Sequence, residues 1–536
     1  MTTERAADRF ARRLAEAGIR YAFGIPGGEV LTLMDALERV GIRYVLVAHE
    51  GAAGFMAEAV WQRTGAPGLL VATVGPGLTN AVNVIANAKL DRVPLLVLAG
   101  AVDTSEGLAY THQVLDQARV LDGVVKGSFT LGADAADLVA EKALRLATDP
   151  RPGPVHVDVP IKVAAAPVTG APCRRRGRVL PTAPVGAGLD ELRGWLRAAE
   201  RPLIVAGFDA VQDDAGEALL ALAHGLRAPV IQTYKAKGLL AEDDPWALAP
   251  AALSPVADRH LLPVVGDADV VLLAGYDAVE MRIGWQHAVD PERQRVIEIA
   301  PVPNDHDFHQ ATVNVVGHVG ASLAALEVAG GRSTWTAAAV AALRDEIHSA
   351  FRPEEAWGPA AIVDVARTVL PRSTIATTDA GAHRILFSQV WTSFEPRTLL
   401  QSNGLCTMGG ALPLALGAKL ADPARPVAAF LGDGGLLMGL GELATAAALG
   451  LPIIVVVFVD RSLALIEKKQ RESQLPASGV ALGQPDFAHA AKALGGRGVT
   501  VTDRAGLAAA LEEALGAERF TVIACVIDEQ AYDGRI

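Results

Sequence analysis

Val427-Ala428-Ala429-Phe430-Leu431 runs straight into Gly432-Asp433-Gly434-Gly435, and a second apolar run over residues 453–458 closes on Val459-Asp460. An apolar run, a glycine turn and then a helix describe a strand feeding a helix N-terminus, whose free N–H groups favour a diphosphate. About one strand-helix-strand unit separates the two aspartates, so Asp433 and Asp460 would end neighbouring parallel strands. Two carboxylates in that position offer hard oxygen ligands to one Mg²⁺. Taken alone, Gly-Asp-Gly reads first as a tight turn, because Asp and Gly are turn residues. The second aspartate and its strand context favour a metal-diphosphate site.

The rest of the chain has the pattern that such a site needs. Apolar runs alternate with Ala- and Leu-rich helical stretches, the signature of parallel sheets covered on both faces. The fold class expected is α/β, with three doubly wound parallel-sheet domains. The first, residues 1–165, has strand-like runs at 44–48, 69–74, 95–99 and 155–159. A proline-bearing linker over 164–186 leads to the second domain, 187–335, with runs at 203–206, 230–232, 270–274 and 295–299. A charged helical segment near 337–352 opens the third domain, 350–536, with runs at 374–377, 399–401, 427–431, 453–459 and 520–526. The first and third blocks could share an architecture without sharing sequence.

Composition narrows the function classes. The chain has 536 residues, 51% of them hydrophobic and 20% charged, which supports well-filled cores. A net charge of −12 argues against nucleic acid or an anionic membrane as partner. The one dense basic cluster, Arg174-Arg175-Arg176, sits in the proline-bearing linker and reads as solvated. Three cysteines are too few and too scattered for a disulfide framework or a zinc cluster. The N-terminal stretch 1–13 is amphipathic with no apolar signal core, and no long apolar span occurs, so a cytoplasmic protein is expected.

A second carboxylate completes the pattern. Val45-Leu46-Val47-Ala48-His49-Glu50 sets Glu50 at the carboxyl end of a probable strand, opening a helix over 52–61. Ligands of such sheets gather at strand carboxyl ends. A first-turn glutamate favoured by the helix dipole is the plainer reading of Glu50 by itself.

The segment from Gly432 to Asp460 resembles the thiamine-diphosphate motif of the pyruvate decarboxylase and acetolactate synthase superfamily. That motif begins Gly-Asp-Gly and usually ends in two asparagines. The Val459-Asp460 ending is similar to the catabolic, FAD-independent acetolactate synthases. The resemblance implies that Asp433 and Asp460 bind Mg²⁺ through side chains and Ser462 through its backbone carbonyl. It also implies that Glu50 hydrogen-bonds N1′ of the aminopyrimidine, so that the cofactor can lose its thiazolium C2 proton in a dry site.

Other matches extend the likeness. Gly28, in Gly24-Ile25-Pro26-Gly27-Gly28, resembles the family's substrate-side glycine loop; as residues alone this is an ordinary strand-helix turn. Gly75-Pro76-Gly77-Leu78-Thr79-Asn80 resembles a scaffold loop at the pyrimidine end, with Asn80 as a cofactor contact. Thr111-His112-Gln113 is similar to the catabolic synthases and implies that Gln113 faces the substrate. In Asp379-Ala380-Gly381-Ala382-His383, His383 would donate to the diphosphate. In the stretch from Asn403 to Gly410, Met408 would wedge beneath the cofactor and bend it into a V, with Gly409-Gly410 allowing close approach. A methionine filling a core gap is the plainer reading. The Gly432, Gly434 and Gly435 backbone and Leu463 are further implied cofactor contacts, and Leu465 and Ile466 implied pocket walls.

Gln232-Thr233-Tyr234 and the segment from Ala274 to Glu280 resemble the catabolic enzymes, which implies that FAD is not required. The expected activity is decarboxylation of pyruvate followed by carboligation to a second pyruvate, giving 2-acetolactate and CO₂. The family builds each site between two chains, implying a dimer or a dimer of dimers. Cys406 and Leu463-Ala464 depart from the catabolic pattern. A non-oxidative 2-oxo acid decarboxylase, or a carboligase or lyase with another substrate, therefore stays open, as does a catalytically silent homologue.

Overall fold

A computed structural model describes residues 4–103, 109–173, 177, 179–250, 253–328 and 330–536, except the side chain of Glu280. The Arg174-Arg175-Arg176 cluster lies outside the described residues. Among the described residues eighteen strands assemble into three six-stranded sheets, and every pairing between these strands is parallel. The first sheet holds β1 (Tyr21–Ile25), β2 (Arg43–Leu46), β3 (Gly68–Ala72), β4 (Leu95–Ala101), β5 (Ser128–Thr130) and β6 (Val155–Pro160). The second holds β7 (Pro202–Ala206), β8 (Val230–Gln232), β9 (Ala247–Pro250), β10 (Val270–Ala274), β11 (Arg295–Ala300) and β12 (Val313–Val316). The third holds β13 (Ile375–Thr378), β14 (Leu399–Gln401), β15 (Val427–Gly432), β16 (Ile454–Val459), β17 (Arg497–Val501) and β18 (Thr521–Val526).

The central strands are buried on both faces, as parallel sheets covered by helices must be, and that is why they read as continuous apolar runs. β1, β5, β9, β12 and β17 were not among the expected strands. β5 and β17 are sheet edges whose residues are largely exposed or half-buried, so no apolar run marks them.

The first and third sheets have one strand order, β2-β1-β3-β4-β6-β5 and β14-β13-β15-β16-β18-β17. The middle sheet differs, running β12-β11-β10-β7-β8-β9. In the third sheet the order reverses between β13 and β15, which pair with Thr378 opposite Phe430. Such a reversal opens a crevice at the strand carboxyl ends, the usual ligand position in open α/β sheets. Asp433 follows β15 and Asp460 follows β16, and these two strands are hydrogen-bonded neighbours, as expected.

The first and third domains share one core. The helix Glu50–Thr64 crosses the helix Ala411–Ala421, and a Cβ on Gly417 would stand 2.3 Å from the Met56 carbonyl oxygen. Only glycine lets the two backbones meet there. The opposite face of the first sheet packs on the helix Ala6–Glu16 through Phe10 and Leu14. The linker is less free than its prolines suggest. Ala6 N donates to Ala166 O, Val168 N to Glu4 O, and Arg9 to Gly170 O, so residues up to Gly170 are pinned to the N-terminal helix.

Candidate active site

Three acids stand at the carboxyl ends of three adjacent strands of the third sheet: Asp379 after β13, Asp433 after β15 and Asp460 after β16. All are buried. Asp433 is held by its own turn, Oδ1 accepting from Gly434 N at 2.8 Å and Oδ2 from Arg461 N at 2.7 Å. Arg461 has a left-handed φ of 63°, which folds the Asp460 turn back toward Asp433. Asp460 Oδ1 in turn accepts from Ser462 N at 3.0 Å. The two carboxylates thus share one hydrogen-bonded turn. Burial raises the carboxyl of Asp433, and burial together with the charge of Asp433 pushes Asp460 up to about 8. Two buried acids facing one another, with no cation of the described residues paired to either, form a site complementary to a divalent cation.

A cleft of about 380 Å³ opens beside this pair. Gly432, Gly434 and Gly435 form its floor, and His383, Met408, Ser462 and Leu463 stand around it. The floor has no room for side chains. A Cβ on Gly435 would lie 2.6 Å from Asp379 Oδ2, and one on Gly434 would lie 3.1 Å from Met408 Cε and 3.2 Å from Leu463 Cδ2. Met408 and Leu463 therefore converge over the glycine turn. His383 Nε2 lies 3.2 Å from Asp379 Oδ1, and its ring stacks on Phe458 at 5.4 Å. Asp379 Oδ2 also accepts from Gly409 N at 2.6 Å. One buried carboxylate thereby fixes both the histidine and the Met408 loop. The helix N-terminus at Asp433, the glycine floor and the acid pair fit a diphosphate with its metal.

Glu50 belongs to a second cluster, in the first domain. It is 5% exposed, and its Oε2 accepts from Asn80 Nδ2 at 3.1 Å. Gly77 lies under it, since a Cβ there would be 3.3 Å from Glu50 Oε1. Gly75, at a left-handed φ of 72°, lets Gln113 pack onto the same loop, and Gln113 is itself left-handed and exposed. Gly28 stands free, with nothing within 4 Å of a would-be Cβ, in the short turn Gly28–Val30 that follows β1. The turn that presents Glu50 is held from the third domain: Glu442 Oε1 accepts from both Ala48 N and His49 N at 3.0 Å.

Within one chain these are two half-sites. Asp433, Asp460, Ser462, His383, Met408, Leu463 and the three glycines line the cleft; Glu50, Asn80, Gln113 and Gly28 do not. Gly410 does not line it either, facing the Phe55 ring across the helix crossing instead, with a would-be Cβ at 3.2 Å. Leu465, Ile466 and Cys406 form the outer wall. Sequence reasoning assigned no role to Asp379, Arg384 or Glu442. Asp379 was findable as an acid at a strand end, whereas Glu442 works through main-chain donors far away in sequence and leaves no local signal. A larger cleft of about 630 Å³ lies where the three domains meet, but Arg63, Arg151 and Arg397 line it and it has no glycine floor.

Three stretches match the thiamine pyrophosphate enzyme family: residues 4–120 its N-terminal TPP binding domain, 189–326 its central domain, and 379–525 its C-terminal TPP binding domain. The chain belongs to this family. It is a thiamine-diphosphate-dependent enzyme of the acetolactate synthase and decarboxylase group. It is 33% identical to the probable 2-ketoarginine decarboxylase AruI of Pseudomonas aeruginosa, over 91% of this chain and 88% of that one. It is 28% identical to the acetolactate synthase of Bacillus subtilis, over 98% and 94%. It is 29% identical to the catabolic acetolactate synthase of Raoultella terrigena, over 97% and 95%. Identities this close together leave the substrate to be read from the cleft. No helix among the described residues is long and apolar enough to cross a membrane.

Proposed function

We propose that this thiamine-diphosphate enzyme decarboxylates a 2-oxo acid, pyruvate in the simplest case, and ligates the product to a second carbonyl, as an acetolactate synthase does. The observation that carries the reading is the Asp433 and Asp460 pair, joined through one turn beside a glycine floor. Asp433, Asp460 and the Ser462 carbonyl would hold Mg²⁺, and His383 with the Gly432, Gly434 and Gly435 backbone would receive the diphosphate. When bound, thiamine diphosphate supplies a carbon nucleophile and an electron sink for the pair left behind by CO₂. Met408, which lies over Gly434, would support the bend of the cofactor. Glu50, buried and hydrogen-bonded to Asn80, would hold a proton at the aminopyrimidine N1′. Leu465 and Ile466 keep water from the reacting carbon, and Gln113 and Gly28 border the substrate.

Because Glu50 stands outside the cleft of its own chain, the reading includes a dimer or tetramer in which one chain's Glu50 completes its partner's cleft. No flavin is required in this reading. Its support is that Arg92 of the first domain bridges Asp209 and Asp277 across the crevice between β7 and β10, where a nucleotide would enter. A cytoplasmic enzyme without nucleic-acid or membrane partners fits the −12 charge. Decarboxylation without ligation is the second reading, favoured by the 33% identity to a protein named as a 2-ketoarginine decarboxylase.

The test is incubation with thiamine diphosphate, Mg²⁺ and pyruvate, without FAD, following CO₂ and acetolactate. Acetolactate appearing in step with CO₂ supports carboligation. CO₂ with acetaldehyde selects the decarboxylase reading, and turnover only of longer 2-oxo acids excludes pyruvate.

A further inference from the structure

Arg384 lines the cleft from the helix Ala382–Val390 and is only 4% exposed. Its Nε donates to Gln401 Oε1 at 3.1 Å, its Nη2 to Asn403 Oδ1 at 2.6 Å, and its Nη1 lies against Cys406 Sγ. Two amide oxygens and a sulfur are its partners. Among the described residues no carboxylate pairs with it. Arg9, the other fully buried arginine of the described residues, pairs with Glu4, whereas half-buried Arg397 is held like Arg384 by uncharged oxygens, those of Gln62, Val211 and Gln212, but outside this cleft. A buried guanidinium without a counter-charge is costly, and its fork is shaped for a carboxylate. Cys406, which already departs from the catabolic pattern in sequence, is its immediate neighbour. The pair sits on the same wall as Leu253 and Ile385, so the charge borders an apolar space.

We propose that Arg384 is a specificity-determining residue that receives a carboxylate which the substrate keeps. The proposal rests on the reading that this cleft processes 2-oxo acids. The carboxylate lost as CO₂ is the wrong partner, because an ion pair to it would stabilise the ground state more than the transition state, in which its charge moves away. A retained carboxylate has two sources: the acceptor 2-oxo acid of a ligation, or the distal end of a dicarboxylic 2-oxo acid. A substrate with a cationic tail meets a like charge on this wall.

The experiment uses the full-length holoprotein with thiamine diphosphate and Mg²⁺. Pyruvate, 2-oxoglutarate and 5-guanidino-2-oxopentanoate are compared as substrates for the wild type, Arg384→Gln and Arg384→Lys. Glutarate, its neutral diamide and 1,5-diaminopentane are titrated calorimetrically in parallel. Arg384→Gln is expected to raise KM for the anionic substrate about tenfold or more with a smaller change in kcat, and Arg384→Lys to recover part of the loss. Glutarate binding weakens by a similar factor. Selective loss of acetolactate with CO₂ release retained assigns the carboxylate to the acceptor, and preference for 2-oxoglutarate assigns it to a dicarboxylic donor.

If Arg384→Gln does not fold, the wild type still decides: glutarate binding well ahead of its diamide supports the site, and equal binding overturns it. Preference for the guanidino acid, or undiminished glutarate binding by a folded Arg384→Gln, also overturns it. Failure to turn over any 2-oxo acid while Arg384→Gln loses glutarate would sink the proposed reaction and keep the anion site.

Discussion

The first and third domains share one strand order, yet the same positions carry different chemistry. In the third sheet the ends of β15 and β16 bear Asp433 and Asp460, bound into one turn. The corresponding ends of β3 and β4 lead to Gly75-Pro76-Gly77 and to Asp103, whose Oδ2 accepts from Lys162 N at 3.2 Å and so serves a helix start. The difference reverses at the helices that follow β2 and β14. Glu50 opens one and Gly410 precedes the other, and the two helices cross. The strand order supplies the crevice; a handful of residues at strand ends decide which charged groups it presents.

Substitution at the strand ends breaks the comparison most sharply. Asp460→Asn and Asp433→Ala should weaken retention of thiamine diphosphate in the presence of Mg²⁺ by about 100-fold or more, measured by equilibrium binding. Asp103→Asn, at the matching position of the first sheet, should leave that affinity unchanged. Glu50→Gln comes next. Turnover should fall by roughly 10²–10⁴-fold while cofactor affinity changes only a few-fold, since in the proposed reading the carboxylate handles a proton and not the diphosphate. Full activity in that variant would remove the first domain from the chemistry.

Glu58, on the same helix as Glu50, tests the junction instead of the site. Burial pushes its carboxyl up to about 8, against the opposing pull of Lys235. The folded chain then keeps a proton that the unfolded chain gives up near pH 4.5, so stability falls as pH rises from there toward 8. Glu58→Gln should remove this slope, gaining on the order of 1–3 kcal/mol over wild type at pH 8.5 and little at pH 4, read from melting curves. The smallest effects sharpen the contrast between glycines. Gly435→Ala, driven into Asp379, should cost about 1–3 kcal/mol. Gly28→Ala, in open space, should change stability by less than about 0.5 kcal/mol.

The third domain was more legible in the sequence than the first. Fully buried strands print themselves as apolar runs, and an acid directly after such a run is visible, so Asp433 and Asp460 could be placed on neighbouring strands before any geometry was known. β1 was hidden because Gly24 interrupts it and both its ends are half-buried. The residues that orient the site were less legible for a different reason. Asp379 ties His383 to the Gly409 backbone, Glu442 ties the Glu50 turn to the third domain, and Arg384 gathers Gln401, Asn403 and Cys406. Asp379 could have been found as an acid at a strand end, but Glu442 reaches main-chain donors nearly 400 positions away and Arg384 reaches side chains about 20 positions away, and neither spacing leaves a local pattern.

The helix Glu50–Thr64 is buried on nearly every side, and part of its cover comes from a helix that begins at Ala411. During synthesis, then, the first domain emerges with Phe55, Met56 and Val60 lacking their partners until most of the chain has been made. Contacts this distant in sequence slow folding and leave apolar surface open to aggregation. A fragment stopped after the middle domain should be insoluble, and the intact chain should refold slowly and best at low concentration.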